Sequence, residues 1–120
     1  MIPQYTKRKE EMKNINILKQ TDIKYFTPNN CNNYAGYGGC YYYKVGSRVN
    51  LHIGVSVNTT SNISIGTLLE QYRPITPVSG IGLGASLEDY SAVQINEAGL
   101  ITINSKTGYA LIDLEYDTLN

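Results

Sequence analysis

The side chains able to do chemistry are few and scattered along the chain. The single histidine, His52, lies between Asn50 and Ser56 on a stretch of alternating apolar and polar residues. No Ser or Cys is poised in sequence to partner it, so a Ser–His–Asp arrangement is not expected, and His52 reads as a solvated strand residue. Asp113, Glu115 and Asp117 recur at a spacing of two, which puts three carboxylates on one face of a strand. Two such acids flanking a bond could hydrolyse a glycoside. A calcium ion would need roughly six to eight oxygens and usually a loop to wrap it. On a strand that ends the chain, an acidic outer face more often makes a solvated edge that discourages aggregation, and that is the expectation here. Cys31 and Cys40 have no neighbouring His or second Cys pair, so they cannot fill a tetrahedral metal shell. Free thiols are expected for a protein made in a reducing cytosol, with a disulfide across the loop as the alternative. No nucleophile, base or metal cluster assembles; the protein is not expected to be an enzyme or to carry a cofactor.

A second set of residues suggests binding. Between positions 29 and 43 the chain concentrates Asn29, Asn30, Asn32, Asn33, Tyr34, Tyr37, Tyr41 and Tyr43. A tyrosine ring offers a flat apolar face to stack on a sugar and a hydroxyl to bond it, and asparagine adds amide donors and acceptors. A Tyr/Asn/Gly/Ser loop is also the chemistry of adaptable recognition surfaces such as antibody paratopes. These eight residues are the candidate ligand-binding set. The competing reading is that Tyr41 and Tyr43 pack on the sheet or between subunits, since tyrosine also favours strands.

The elements that must position these residues read as strands. Val49, Leu51, Ile53, Val55 and Val57 alternate with Asn50, His52, Gly54, Ser56 and Asn58, which predicts a strand with one face on a core. Before it, Tyr41 to Val45 is a strand, and Gly46 is available for the positive φ of a tight turn. After it come a polar turn, a second alternating stretch at Ile63 and Ile65, and a break at Tyr72-Arg73-Pro74. Residues 41–74 thus read as a hairpin with an exit loop. Residues 21–27 predict a short first strand ended by Pro28, and 29–39 a loop without periodicity. Pro74 and Pro77 bracket an extended segment. Gly80, Gly82 and Gly84 alternate with Ile81, Leu83 and Ala85, a pattern of close backbone approach or a sharp bend. No helix follows them, so they are not a nucleotide fingerprint. Three further strands lie at 92–96, 100–104 and 109–117, with Val93, Ile95, Ile101, Ile103, Ala110, Ile112, Leu114 and Tyr116 facing inward. Short strands with regularly spaced turns predict an all-β, jelly-roll-like antiparallel sandwich of about seven or eight strands.

Residues 1–20 differ from the rest and are read as a leader to a β-domain at 21–120. Thr6 could cap a marginal helix carrying Met12, Ile15 and Leu18 as a narrow apolar stripe. Either this leader lies loosely on the domain, or the stripe meets copies of itself, since marginal helices draw their stability from packing.

The 120 residues suit one domain, able to bury about two-thirds of its surface. Ten basic and ten acidic side chains cancel, which argues against an electrostatic nucleic-acid binder. No apolar run is long enough for membrane insertion, and no apolar core suggests an export signal. Eleven tyrosines stand against one phenylalanine and no tryptophan, a composition that favours strands over helices.

One resemblance joins these pieces. The run Tyr43-Lys44-Val45-Gly46-Ser47-Arg48-Val49, the alternating strand after it, and Gly66-Thr67-Leu68 leading to Tyr72-Arg73-Pro74 resemble the C-terminal β-domain of phage tail fibre or minor structural proteins. Such proteins belong to tailed phages and prophages of low-GC Gram-positive bacteria. The run Val93 to Ile103 and the strand Tyr109 to Tyr116 fit the same pattern, so the resemblance covers roughly residues 40–118. It implies a virion tail protein made in the bacterial cytoplasm, a homotrimer in contact with other tail proteins, and a receptor-binding tip for a host-surface saccharide. A purely structural or trimerising module of the same particle is the first alternative. A bacterial carbohydrate-binding module is the second.

Overall fold

The computed structural model describes residues 20–86 and 88–118. The leader helix with its Met12, Ile15, Leu18 stripe lies outside the described residues. The described chain runs through nine strands: β1 (Lys24–Phe26), β2 (Asn32–Asn33), β3 (Cys40–Val45), β4 (Arg48–Ser56), β5 (Ile63–Thr67), β6 (Val78–Leu83), β7 (Tyr90–Ile95), β8 (Leu100–Ser105) and β9 (Tyr109–Asp117). Every pairing is antiparallel, in the order β1-β3-β4-β9-β6-β7-β8-β5, with β2 alongside β4. The all-β, sandwich-like fold read from the strand spacing is the fold observed.

Two four-stranded leaves can be distinguished along that path. β4 and β9 pair over their whole length, from Arg48↔Asp117 to Ser56↔Tyr109. β9 and β6 share only one register pair, Leu83↔Leu111, so the sheet turns a corner there. The alternating glycines explain how. A Cβ at Gly82 would come 2.2 Å from the Leu111 carbonyl oxygen and 2.6 Å from Cγ1 of Ile112. The two strands cross too closely for any side chain on that face of β6. At the opposite seam, the Asn29 amide donates to the Ile65 carbonyl (2.8 Å) and Asn30 Nδ2 to the Ser64 carbonyl (2.8 Å), drawing the β1 side toward β5.

The core lies between the leaves. Val49, Leu51, Ile53 and Val55 of β4 meet Val93 and Ile95 of β7, Ile101 and Ile103 of β8, and Ala110, Ile112 and Tyr116 of β9. Ile53 is 0 % exposed; burying a side chain of that size contributes about 1.5–3 kcal/mol. The turn between β3 and β4 uses Gly46 at φ 61°, as the sequence pattern requires.

Three expectations are corrected. β4 and β5 do not form a hairpin: both edges of β4 are taken, by β3 with β2 and by β9, and β5 pairs with β8 instead. Alternation states that a strand has one apolar face; it does not say which strand lies beside it. The segment 29–39 is not wholly irregular, because Asn32–Asn33 pairs with Val55 and Ser56, and Ala35–Tyr37 forms one 3₁₀ turn. β9 is not the end strand of the sheet: it lies between β4 and β6, meeting β6 in register at Leu111, and its carboxylates stand opposite His52, Asn50 and Arg48 of β4.

Candidate functional site

The outward faces of β1, β3, β4 and β9 carry aligned cross-strand rows, because antiparallel partners on one face stand directly opposite each other. Register places Tyr25 opposite Tyr41, Tyr41 opposite His52, and His52 opposite Asp113. The next row is Tyr43, Asn50 and Glu115, and the one after it Val45, Arg48 and Asp117. Between the first two rows a hollow of about 230 Å³ is lined by Tyr41, Tyr43, Asn50, His52, Asp113 and Glu115.

The first row is held tightly. The His52 ring stacks on Tyr41, with centroids 4.8 Å apart and planes inclined by 22°. Its Nδ1 is 2.6 Å from Asp113 Oδ1, and its Nε2 meets the Tyr37 carbonyl. The expectation of a solvated histidine is therefore corrected: the side chain is only 14 % exposed, whereas that of Asp113 is 76 % exposed. Both ring nitrogens are engaged within the fold, one by a carboxylate and one by a backbone carbonyl. The Tyr41 phenol is held above its usual range, first by burial and then by Asp113, Tyr43 and Tyr25, so it is a hydroxyl donor at neutral pH. Below the hollow, Arg48 bonds Glu115 (Nε to Oε2, 3.1 Å) and Asp117 (Nη1 to Oδ1, 3.2 Å) on the exposed surface. The carboxylate ladder is thus bound into the sheet through His52 and Arg48. Among the described residues no three His, Cys, Asp or Glu side chains gather as a metal shell.

One glycine makes this arrangement possible. The turn carrying Tyr34 to Gly39 sits over Gly54, in the gap where β3 leaves β4 and β2 joins it, and the Tyr34 amide donates to the Gly54 carbonyl (3.0 Å). A Cβ at Gly54 would lie 2.7 Å from both Cβ and the carbonyl oxygen of Tyr37. Without that close approach the Tyr37 carbonyl could not reach His52.

The eight residues expected to bind ligand are distributed over several places. Tyr41 and Tyr43 line the hollow described above. Tyr34 and Tyr37 form a separate aromatic cluster with Tyr109, with centroids 4.6 Å apart for Tyr34–Tyr37 and 5.2 Å for Tyr34–Tyr109. Asn33 lines a wider neighbouring hollow of about 430 Å³, together with Tyr25. Asn30 and Asn32 line a third, beside Ser56 and Asn58. Asn29 and Asn30 also anchor the loop to β5. Cys31 is half-buried and Cys40 buried, and both are free thiols. Burial, with a smaller contribution from Cys40, pushes the Cys31 thiol up to about 11.

Tyr25, Asn50, His52, Asp113 and Glu115 complete the face and were not in that set. For the last four the signal was present in the polar half of two alternating strands, but it becomes a site only when β4 lies beside β9, and Tyr25 joins from β1. Of the motif residues that carried the phage-tail resemblance, Tyr43 and the polar half of the following strand lie on this face, whereas Tyr72 and Arg73 lie away from it, beside the core. Tyr72 is buried, its carbonyl accepts from the Tyr116 hydroxyl (2.6 Å), and Arg73 Nε donates to the Leu68 carbonyl (3.1 Å). No family model matches the chain, and no curated protein matches it.

Proposed function

We propose that the chain is a non-catalytic recognition domain of a phage tail that binds a saccharide on the host envelope. The observation that carries this reading is the hollow between the Tyr41–His52–Asp113 and Tyr43–Asn50–Glu115 rows. It combines an aromatic face for stacking with an amide and two carboxylates for sugar hydroxyls, projecting from the adjacent strands β3, β4 and β9. The tightly engaged His52 supports binding over catalysis, because it orients Tyr41 and Asp113 instead of offering a free base. Association in threes, which the phage-tail resemblance implies, would multiply a weak single-site affinity by avidity.

The double change Tyr43→Ala and Asn50→Ala tests this reading. Both side chains are part-exposed on the outer face, so stability should change by less than about 1 kcal/mol. Adsorption to host cells or to purified wall polysaccharide should fall by about tenfold or more. Undiminished adsorption would remove this site from the reading.

A purely structural module of the same particle is the second reading, favoured by a different surface. Ile81 is 73 % exposed on the outward side of β6, with Leu83 and Tyr90 exposed beside it. Exposed apolar groups of this kind suit packing against another tail protein or another copy. Light scattering of the intact chain separates a trimer from a monomer.

A further inference from the structure

Two hollows are each lined by one member of a tyrosine ring pair, and they differ in chemistry. Tyr25 and Tyr41 face each other across β1 and β3 with ring centroids 5.5 Å apart, inclined at 54°. Tyr41 lines the smaller hollow and Tyr25 the larger, so the ring pair links the walls of the two. The smaller hollow presents Asp113, Glu115, Asn50 and the His52 ring. The larger presents Asn33, Ala35 and the glycines Gly38 and Gly39, with no carboxylate or cationic side chain on its wall. Gly38 and Gly39 have φ of 83° and 73°, so this wall is bare backbone that side chains would otherwise cover. At about 230 Å³ the smaller hollow falls short of the roughly 300–1,000 Å³ usual for a ligand site, whereas the larger, at about 430 Å³, lies within it.

We infer that the ligand is an oligosaccharide of at least two units lying across the strands, with one ring on each side of the Tyr25–Tyr41 pair. This rests on the saccharide reading above and adds its length and charge. The ring over Asp113 and Glu115 is neutral or bears an amine, because both carboxylates, although tied to His52 and Arg48, stay exposed and would face a uronate or phosphate at close range. The ring beyond Tyr25 is uncharged and meets the open backbone of Gly38 and Gly39 and the Asn33 amide, surroundings that suit an acetamido or hydroxymethyl substituent. Tyr25 is 73 % exposed and makes its ring contact with Tyr41, so it serves the ligand more than the core.

A glycan array carrying neutral, amino and uronic sugars as mono- to hexasaccharides, probed with the intact chain and with Tyr25→Ala, tests the inference. In the best-binding series, disaccharides and longer members should bind about tenfold more tightly than the monosaccharide. Tyr25→Ala should bring the longer glycans down to the monosaccharide's affinity while the melting temperature is kept. Uronic series should bind least. Affinity independent of length, or a Tyr25→Ala protein that keeps the whole gain with length, overturns the two-unit site. Uronic sugars binding as well as neutral ones overturn the charge assignment. An intact chain that binds no glycan at all overturns the saccharide reading itself, and this inference with it.

Discussion

Two regions of the molecule use the same side-chain types for opposite ends. In the corner around Tyr72, a cation and two tyrosines point inward. Lys44 is buried with its Nζ donating to the Gln71 carbonyl (2.8 Å) and lying 5.5 Å from the Tyr72 ring centre. The Tyr116 hydroxyl donates to the Tyr72 carbonyl, and burial raises the Tyr116 phenol well above its ordinary range. On the outer face of β3, β4 and β9, tyrosines, an imidazole and carboxylates also engage one another, but their edges stay open to solvent. The contrast shows what decides a tyrosine's role. A buried hydroxyl must find a partner within the protein, so it becomes part of the frame. A half-exposed one keeps a face and a hydroxyl for something else.

The largest effect should come from breaking the inward region. Tyr72→Ala removes a fully buried ring that Tyr42 and Lys44 pack against, and should cost about 3–5 kcal/mol in chemical denaturation. A cost near that of an exposed tyrosine would show that the corner is peripheral and would erase the distinction. His52→Ala tests the boundary between the regions, since it cuts the ties to Asp113 and to the Tyr37 carbonyl together. A loss of about 1–3 kcal/mol is expected, with faster amide exchange at Tyr37, Gly38 and Gly39 and no change in the exchange of Ile101 or Ile103. Exchange that rises evenly throughout the sheet would mean that His52 belongs to the frame.

The smallest effect concerns the thiols. A group whose folded pKa is raised favours the folded state while it is protonated in both states, and loses that contribution as pH climbs toward the folded value. For Cys31 the stabilisation is complete below about pH 9 and fades between 9 and about 11. Replacing Cys31 with Ser should therefore flatten the alkaline limb of a stability profile slightly, leaving the neutral range unaltered. Rapid alkylation of native Cys31 at pH 8 would contradict the raised thiol.

How much of this was legible beforehand depended on whether the information was local. The inward residues of β4, β7, β8 and β9 follow from period-two alternation, because successive side chains of a strand point to opposite sides whatever lies next to it. The Gly46 turn and the close crossing at Gly82 were also readable, since only glycine tolerates such geometry. The binding face was not. Asn50 and His52 are separated in sequence from Asp113 and Glu115 by half the chain, and a strand's neighbour is chosen by which edges other strands leave free. The loop tyrosines carried the stronger compositional signal, yet Tyr34 and Tyr37 turn to Tyr109 while Tyr41 and Tyr43 join the carboxylates. The sequence by itself determined an all-β chain, its core positions and its tight turns, all of which are consequences of local geometry and side-chain burial. Only the tertiary structure decided that β9 lies inside the sheet beside β4, because that pairing is a long-range choice among edges that look alike to the chain, and the candidate site exists only once it is made.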